Sequence, residues 1–184
     1  MNKYIILDRD GVINYDSPSY IKKIHEWKPI PKSLEALELL CQNQYKIIII
    51  SNQAGVSRNI IDYSDSIAIH NKLITSCNKI GASIYLTYYC YDHPDTNSIY
   101  RKPKPGMYLD LSQRLNIDLT NVFAICDSLR DVEAALSSGC KPLGVKTGNG
   151  DEISSSSPRI DMFDSLYDAA KFVINYDKQY VLNI

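Results

Sequence analysis

Asp8 and Asp10 stand one residue apart, directly after the aliphatic run Tyr4-Ile5-Ile6-Leu7. On extended backbone the side chains at i and i+2 point the same way, so the two carboxylates share one side of the chain. Such a pair repels unless a cation or a proton intervenes. Asp127 supplies a third carboxylate, and Asp131 follows four residues on. A hard divalent cation with oxygen ligands is the natural compensation, and Mg²⁺ suits a site that keeps waters and meets a substrate phosphate. Arg101 and Lys102 add positive charge and Ser51 a hydroxyl, a set that fits a phosphate beside the cation. One carboxylate can attack as a covalent nucleophile while a second serves as general acid and base, and Asp8 and Asp10 are able to divide those roles. A lone DxD in a polar loop is ordinarily just solvated. This one directly follows a buried strand, and Ser51, Lys102 and Asp127 stand at or after three later strand ends.

These residues are far apart in sequence, so regular elements must bring them together. Tyr4–Leu7, Lys46–Ile50, Ile84–Tyr89, Val122–Ile125 and Leu143–Val145 read as strands, the first two as aliphatic runs without polar alternation, the mark of burial on both faces. Between them, helices are expected at about 32–42, 64–80, 106–115 and 129–137, with a last one at 166–174. The first shows Leu34, Leu37, Leu40 and Cys41 on one face, and the second Ile67, Ile74, Cys77 and Ile80, with Gly81 as its C-cap. Residues 15–31 are an irregular excursion with three prolines, Cys90 to Pro105 is a polar loop, and Ser154 to Ser157 is a flexible serine run. Alternating strands and helices mean an α/β fold with a mainly parallel sheet. Ligands of such sheets bind at the carboxyl ends of the strands, so Asp8, Ser51, Asp127 and the Arg101-Lys102 loop should converge on one rim.

The bulk composition agrees with an enzyme of this class. With 184 residues, 45% hydrophobic and 22% charged, one domain spanning 1–184 is expected, ending in a serine-rich loop and a helix. A net charge of -1 offers no basic surface for nucleic acid. No apolar run approaches the roughly 20 residues of a membrane span, and the first is too short for a secretory signal. Five scattered cysteines without a CxxC pair read as free thiols, which suits the cytoplasm.

The run Asp8-Arg9-Asp10-Gly11-Val12-Ile13-Asn14 resembles the first motif of the haloacid dehalogenase-like (HAD) phosphatases. Ser51 resembles their second motif, Lys102 their third, and Asp127 with Asp131 their fourth. The similarity is closest to the D-glycero-D-manno-heptose 1,7-bisphosphate 7-phosphatase branch, with histidinol-phosphatase as near relative. Its supporting segments include Asp16 to Ile21, Ser51 to Val56, Arg101 to Met107 and Val145 to Gly148. The resemblance covers about residues 3–150. It implies a Rossmannoid three-layer sandwich without a separate cap domain. It also implies that Asp8 attacks phosphorus and that Asp10 protonates the leaving oxygen and then activates water. Asp8, the Asp10 backbone carbonyl and Asp127 would hold Mg²⁺, with Asp131 in support, and Ser51 and Lys102 would neutralise the phosphoryl oxygens. Arg101, Asn52 and Gln53 would contact substrate, with Asp16 and Tyr20 as further candidates.

Two departures from the branch stand out. Its structural zinc loop offers only Cys90 here, with Asp92, Ser98 and Tyr100 at the other ligand positions and His93 one place out of register. Structural zinc takes four Cys or His ligands, so none is expected. The glycine usual before the fourth-motif aspartate is Cys126. The expected activity is hydrolysis of a phosphorylated sugar, the heptose bisphosphate first, by a monomer, in precursor synthesis for lipopolysaccharide or another surface glycan. Histidinol-phosphatase is the alternative, and a catalytically silent HAD-like binding module the alternative of another class. Arg101 suits a second anionic or hydroxyl-rich group and so favours the sugar.

Overall fold

The computed structural model describes residues 3–156 and 159–181. The five aliphatic runs form β1 (Lys3–Leu7), β2 (Tyr45–Asn52), β3 (Ile84–Cys90), β4 (Phe123–Cys126) and β5 (Lys141–Val145), and β6 (Met162–Phe163) closes one edge. Helices α1 (Ser33–Gln42), α2 (Tyr63–Lys79), α3 (Gly106–Leu115), α4 (Leu129–Ser138) and α5 (Gly150–Ser156) each fall between successive strands, and α6 (Leu166–Val181) follows the last. The strand order is β3-β2-β1-β4-β5-β6 with every pair parallel, and the helices supply the crossovers that parallel pairing needs. The chain first winds outward from β1 to β3, then returns to β4 beside β1 and winds the other way. The switch point between β1 and β4 is where such sheets open a crevice.

Alternation along the central strands divides the core into two layers. Ile5, Leu7, Ile47, Ile49, Phe123, Ile125, Leu143 and Val145 pack with residues of α1, α2 and α6. Ile6, Ile48, Ile50, Ala124 and Cys126 pack with those of α3, α4 and α5. The result is the expected three-layer α/β/α sandwich. The longest connections, residues 8–32 and 91–105, contain no helix beyond the single turn Pro94–Thr96, so no cap is inserted in the described residues. In the first connection Ile13, Ile21, Trp27 and Ile30 are buried, and Trp27 anchors the excursion to the domain. No helix among the described residues is long and apolar enough to cross a membrane.

Several local readings are corrected. The inner face of α2 is Ser66, Ile69, Leu73 and Cys77, while Ile67 is exposed and Ile74 and Ile80 are half-buried. Of the expected set only Cys77 lies on that stripe; Ile67 and Ile74 each stand one place after an inward residue, Ser66 and Leu73, and so sit to one side of it. On α1, Ser33 and Ala36 join Leu37 and Leu40 inside, leaving Leu34 and Cys41 partly buried. Ser154, Ser155 and Ser156 belong to α5, where buried Ile153 and Gly150 hold that turn against the second core layer; Ser157 lies outside the described residues. Cys90, read as a loop residue, ends β3, and Ser51 and Asn52 are the last two residues of β2. The two-residue β6 is too short to leave a periodic signal.

Candidate active site

Asp8 is the first residue past β1, and its backbone N–H donates to Ile125 O of β4 at 3.2 Å. Its carboxylate lies 3.0 Å from Lys102 Nζ. Lys102 arrives from the loop after β3, is buried, reaches Asp131 at 2.6 Å and donates to Ile50 O at 2.9 Å. The ammonium group thus meets two carboxylates as ion pairs and one carbonyl oxygen as a hydrogen bond. The segment is held by Asn52, whose Nδ2 donates to Lys102 O at 3.0 Å and whose Oδ1 accepts from Lys102 N–H at 3.1 Å. Asp131, in the first turn of α4, also accepts from the Ser128 hydroxyl. Burial opposes charge on both Lys102 and Asp131. Their ion pair wins, raising the lysine above and holding the acid below its ordinary range.

Asp8, Asp127 and Asp131 each bring a carboxylate oxygen within 4.8 Å of the others. Asp127 Oδ1 is buried without a hydrogen-bond partner, while Oδ2 accepts from Asn149 N–H at 3.2 Å. Gly11 and Gly148 wrap this carboxylate in left-handed conformations, φ +79° and +64°. A Cβ on either would come within 2.0 or 2.2 Å of Asp127 Oδ2, so only glycine leaves room. Burial, then Asp131 and Asp8, push Asp127 up to about 9. Asp8 rises to about 6, again through burial, with Lys102 opposing and Asp131 and Asp10 adding. Clustered acids with an orphaned buried oxygen are the donor set a hard divalent cation takes, so Asp8 and Asp127 fit Mg²⁺. Asp131 is already committed to Lys102 and Ser128, in keeping with a supporting place.

Asp10 faces a different environment. Arg9 Nε donates to Oδ1 at 2.9 Å and its terminal nitrogen to Oδ2 at 2.8 Å. Asn14 Nδ2 adds a bond to Oδ1, and Gln53 Nε2 one to Oδ2, both at 2.8 Å. Burial opposes ionisation, but the Arg9 charge and these bonds hold Asp10 below the ordinary carboxylate range. Gln53 also donates to Ser51 Oγ at 3.1 Å and accepts from Arg9 at 2.8 Å, which links Ser51 to the Asp10 group.

One cleft is lined by Asp8, Asp10, Asp16, Tyr20, Ser51, Asn52, Gln53, Arg101 and Lys102, every residue the sequence assigned to catalysis or substrate contact. The amides of Asn52 and Gln53 are largely occupied by protein partners. Arg101 keeps one terminal nitrogen buried and unpartnered, and burial together with Arg130 and Arg58 lowers its pKa. The Tyr20 hydroxyl accepts from an Arg58 terminal nitrogen at 2.7 Å, and Asp16 accepts from Ser17 N–H. Arg9, Asn14, Arg130 and Asn149 were not anticipated. Arg9 and Asn14 stood in the first-motif run and Arg130 beside Asp131, but side-chain partners across the fold leave no mark in spacing. The Cys126 side chain is accommodated in the second core layer, and Asp127 keeps its place at the end of β4. In the loop after β3, Asp95 N–H donates to His93 Nδ1 at 3.3 Å and Tyr100 N–H to Ser98 Oγ at 3.1 Å, so both side chains close turns.

A doubly wound parallel sheet with paired aspartates after β1, a serine ending β2, a lysine after β3 and an aspartate after β4 defines a HAD-like phosphatase. The HAD-hydrolase-like family model matches residues 99–169, and that of polynucleotide kinase 3 phosphatase residues 4–131. The D-glycero-β-D-manno-heptose-1,7-bisphosphate 7-phosphatase of Bordetella bronchiseptica is 42% identical over 80% of this chain and 83% of its own. That of Neisseria meningitidis is 33% identical over 94% and 95%. The crystal structure of the D,D-heptose 1,7-bisphosphate phosphatase from B. bronchiseptica, complexed with magnesium and phosphate, superposes with a TM-score of 0.91 at 37% identity, covering 95% of this chain and 99% of that one. The chain belongs to the D,D-heptose 1,7-bisphosphate phosphatase family of HAD-like hydrolases, and it is a phosphatase.

Proposed function

We propose that this phosphatase removes the C7 phosphate of D-glycero-β-D-manno-heptose 1,7-bisphosphate, using Mg²⁺ and an aspartyl-phosphate on Asp8. The observation that carries the reading is the likeness, over 95% of the chain, to a heptose bisphosphate phosphatase crystallised with magnesium and phosphate, joined to an acid cluster fit for that cation. Asp8 attacks phosphorus in line with the sugar oxygen, and Asp10, which its four donors hold ionised in the free protein, takes up a proton on substrate binding and gives it to that oxygen. Water then attacks the aspartyl-phosphate, Asp10 takes the proton, and inorganic phosphate leaves. Lys102 and Ser51 stabilise the charge on the transferring oxygens from fixed positions, which spares reorganisation during the step. Asp8, the Asp10 carbonyl and Asp127 hold the Mg²⁺, which when bound offsets the charge of nucleophile and phosphate. Arg101 is aimed at the remainder of the substrate. The product would feed nucleotide-activated heptose for lipopolysaccharide or another surface glycan. Five free cysteines are consistent with work in the cytoplasm.

A panel of sugar phosphates, with both anomers of heptose 1,7-bisphosphate and histidinol phosphate, tests the assignment. The highest kcat/KM is expected for the β bisphosphate. Preference for histidinol phosphate would move the protein to the neighbouring branch.

A further inference from the structure

We infer that Arg9 is a positioning residue for Asp10, fixing where the carboxyl group meets the leaving oxygen; this rests on the proton-transfer role proposed for Asp10. Arg9 sits between two acids in sequence, yet its side chain is only 3% exposed, whereas that of Asp10 keeps 19% at the cleft. Arginine is rarely buried so deeply unless paired. A buried ion pair is weak evidence for stability, since desolvation offsets most of its attraction. Geometry gives the better reason. The two Arg9 donors engage both Asp10 oxygens in a planar fork, and that fork sets the plane of the carboxylate. Asn14 and Gln53 add one donor to each oxygen, so rotating the carboxylate breaks several bonds at once.

Arg9 is itself braced. Gln53 Oε1 accepts from it at 2.8 Å, and its guanidinium lies 5.4 Å from the centre of the Tyr89 ring. His70 packs edge-on against Tyr89, with ring centres 5.6 Å apart, and its Nδ1 lies 3.3 Å from the Tyr89 hydroxyl. The brace therefore runs from α2 through β3 to the loop after β1. Arg9 also lines the cleft, with its second terminal nitrogen buried and unpartnered, but the contacts its side chain makes there are to Asp10 and Gln53. In the first step the Asp8–phosphorus bond forms, the phosphorus–sugar oxygen bond breaks, and the Asp10 proton goes to that oxygen. In the second, water bonds to phosphorus, its proton returns to Asp10, and the Asp8–phosphorus bond breaks. Both transfers need Asp10 within hydrogen-bond reach, which is what the fork maintains.

The test separates positioning from support of the fold by leaving group. Wild type, Arg9→Met and Arg9→Lys, all with Mg²⁺, are compared on the best sugar phosphate of the panel and on 2,4-dinitrophenyl phosphate. The sugar oxygen needs a proton to leave, and the dinitrophenolate does not. First-turnover rates are read, so that the water step does not intrude. Arg9→Met should lower the sugar rate by about 10²-fold with little change in KM, and the dinitrophenolate burst by no more than about 5-fold. Arg9→Lys keeps the charge without the fork and should fall between. Equal losses on both substrates, or no loss on the sugar, would overturn the inference. Should Arg9→Met fail to fold, the same comparison on Arg9→Lys decides, with a sugar-selective loss in favour and an equal loss against. Asp8→Asn and Asp10→Asn are run beside them. If these retain near-native turnover, the mechanism itself has failed. If they are impaired as expected while the Arg9 variants show no leaving-group selectivity, only the role of Arg9 falls.

Discussion

Asp8 and Asp10 differ by two positions and by everything around them: one is crowded by acids and Lys102, the other encircled by four donors. Asp8→Asn should abolish turnover while leaving the melting temperature near or above that of wild type, because the amide is near-isosteric and relieves charge crowding. Asp10→Asn should lose roughly 10²–10⁴-fold in kcat, the usual worth of general acid–base transfer. Steady-state assays and thermal melts of both variants check this pair. The acid cluster also links stability to pH. Asp127 and Asp8 rise from 3.8 to about 9 and about 6 in the metal-free fold. Between the unfolded and folded values the folded state binds more protons, so metal-free stability should fall as pH rises through about 4–9. Magnesium binding must expel those protons, so its stabilisation should grow with pH. Melts in EDTA and in Mg²⁺ at pH 5.5 and 8 measure it; a Mg²⁺ increment that shrinks with pH would count against Asp127 as ligand. At this scale the motif acids, serine and lysine were legible, since residue type and strand-end position suffice. Arg9 and Asn149 were not, because their partners are acquired only on folding.

The elements place these groups by close approach. Gly148→Ala would thrust a methyl into Asp127 from a left-handed turn, so activity should drop sharply and the apparent Mg²⁺ affinity with it. Titrating activity with Mg²⁺ distinguishes this from simple loss of folded protein. On α2, Leu73→Ala should cost about 2–5 kcal/mol, as for a fully buried leucine. Ile67→Ala, on the exposed side, should stay within about 0.5 kcal/mol. Denaturant unfolding of the two variants checks the corrected face. Uninterrupted aliphatic runs such as Tyr4–Leu7 and Lys46–Ile50 made the parallel strands readable. The α2 face was misplaced because isoleucines occur on both sides of the helix, and spacing alone does not say which stripe meets the sheet. The serine helix and β6 are held by tertiary contact, not by local preference.

For the whole molecule, the switch point between β1 and β4 gathers residues as far apart as Asp8 and Arg130 into one cleft, which the parallel-sheet rule anticipated from the order of elements alone. The loop carrying Arg101 and Lys102 is closed by its own side-chain turns and by Asn52. We therefore expect elemental analysis to find no stoichiometric zinc and chelation to leave stability unchanged once Mg²⁺ is controlled. One zinc per chain, lost together with stability, would reverse that view. The central claim is a position-specific hydrolysis that depends on Asp8, and phosphorus NMR of heptose 1,7-bisphosphate with the protein and Mg²⁺ follows it bond by bond. The C7 ester signal should vanish as one equivalent of inorganic phosphate appears, with the C1 phosphate intact and no change under Asp8→Asn. Loss of the C1 phosphate, an untouched substrate, or undiminished release by Asp8→Asn would contradict the account.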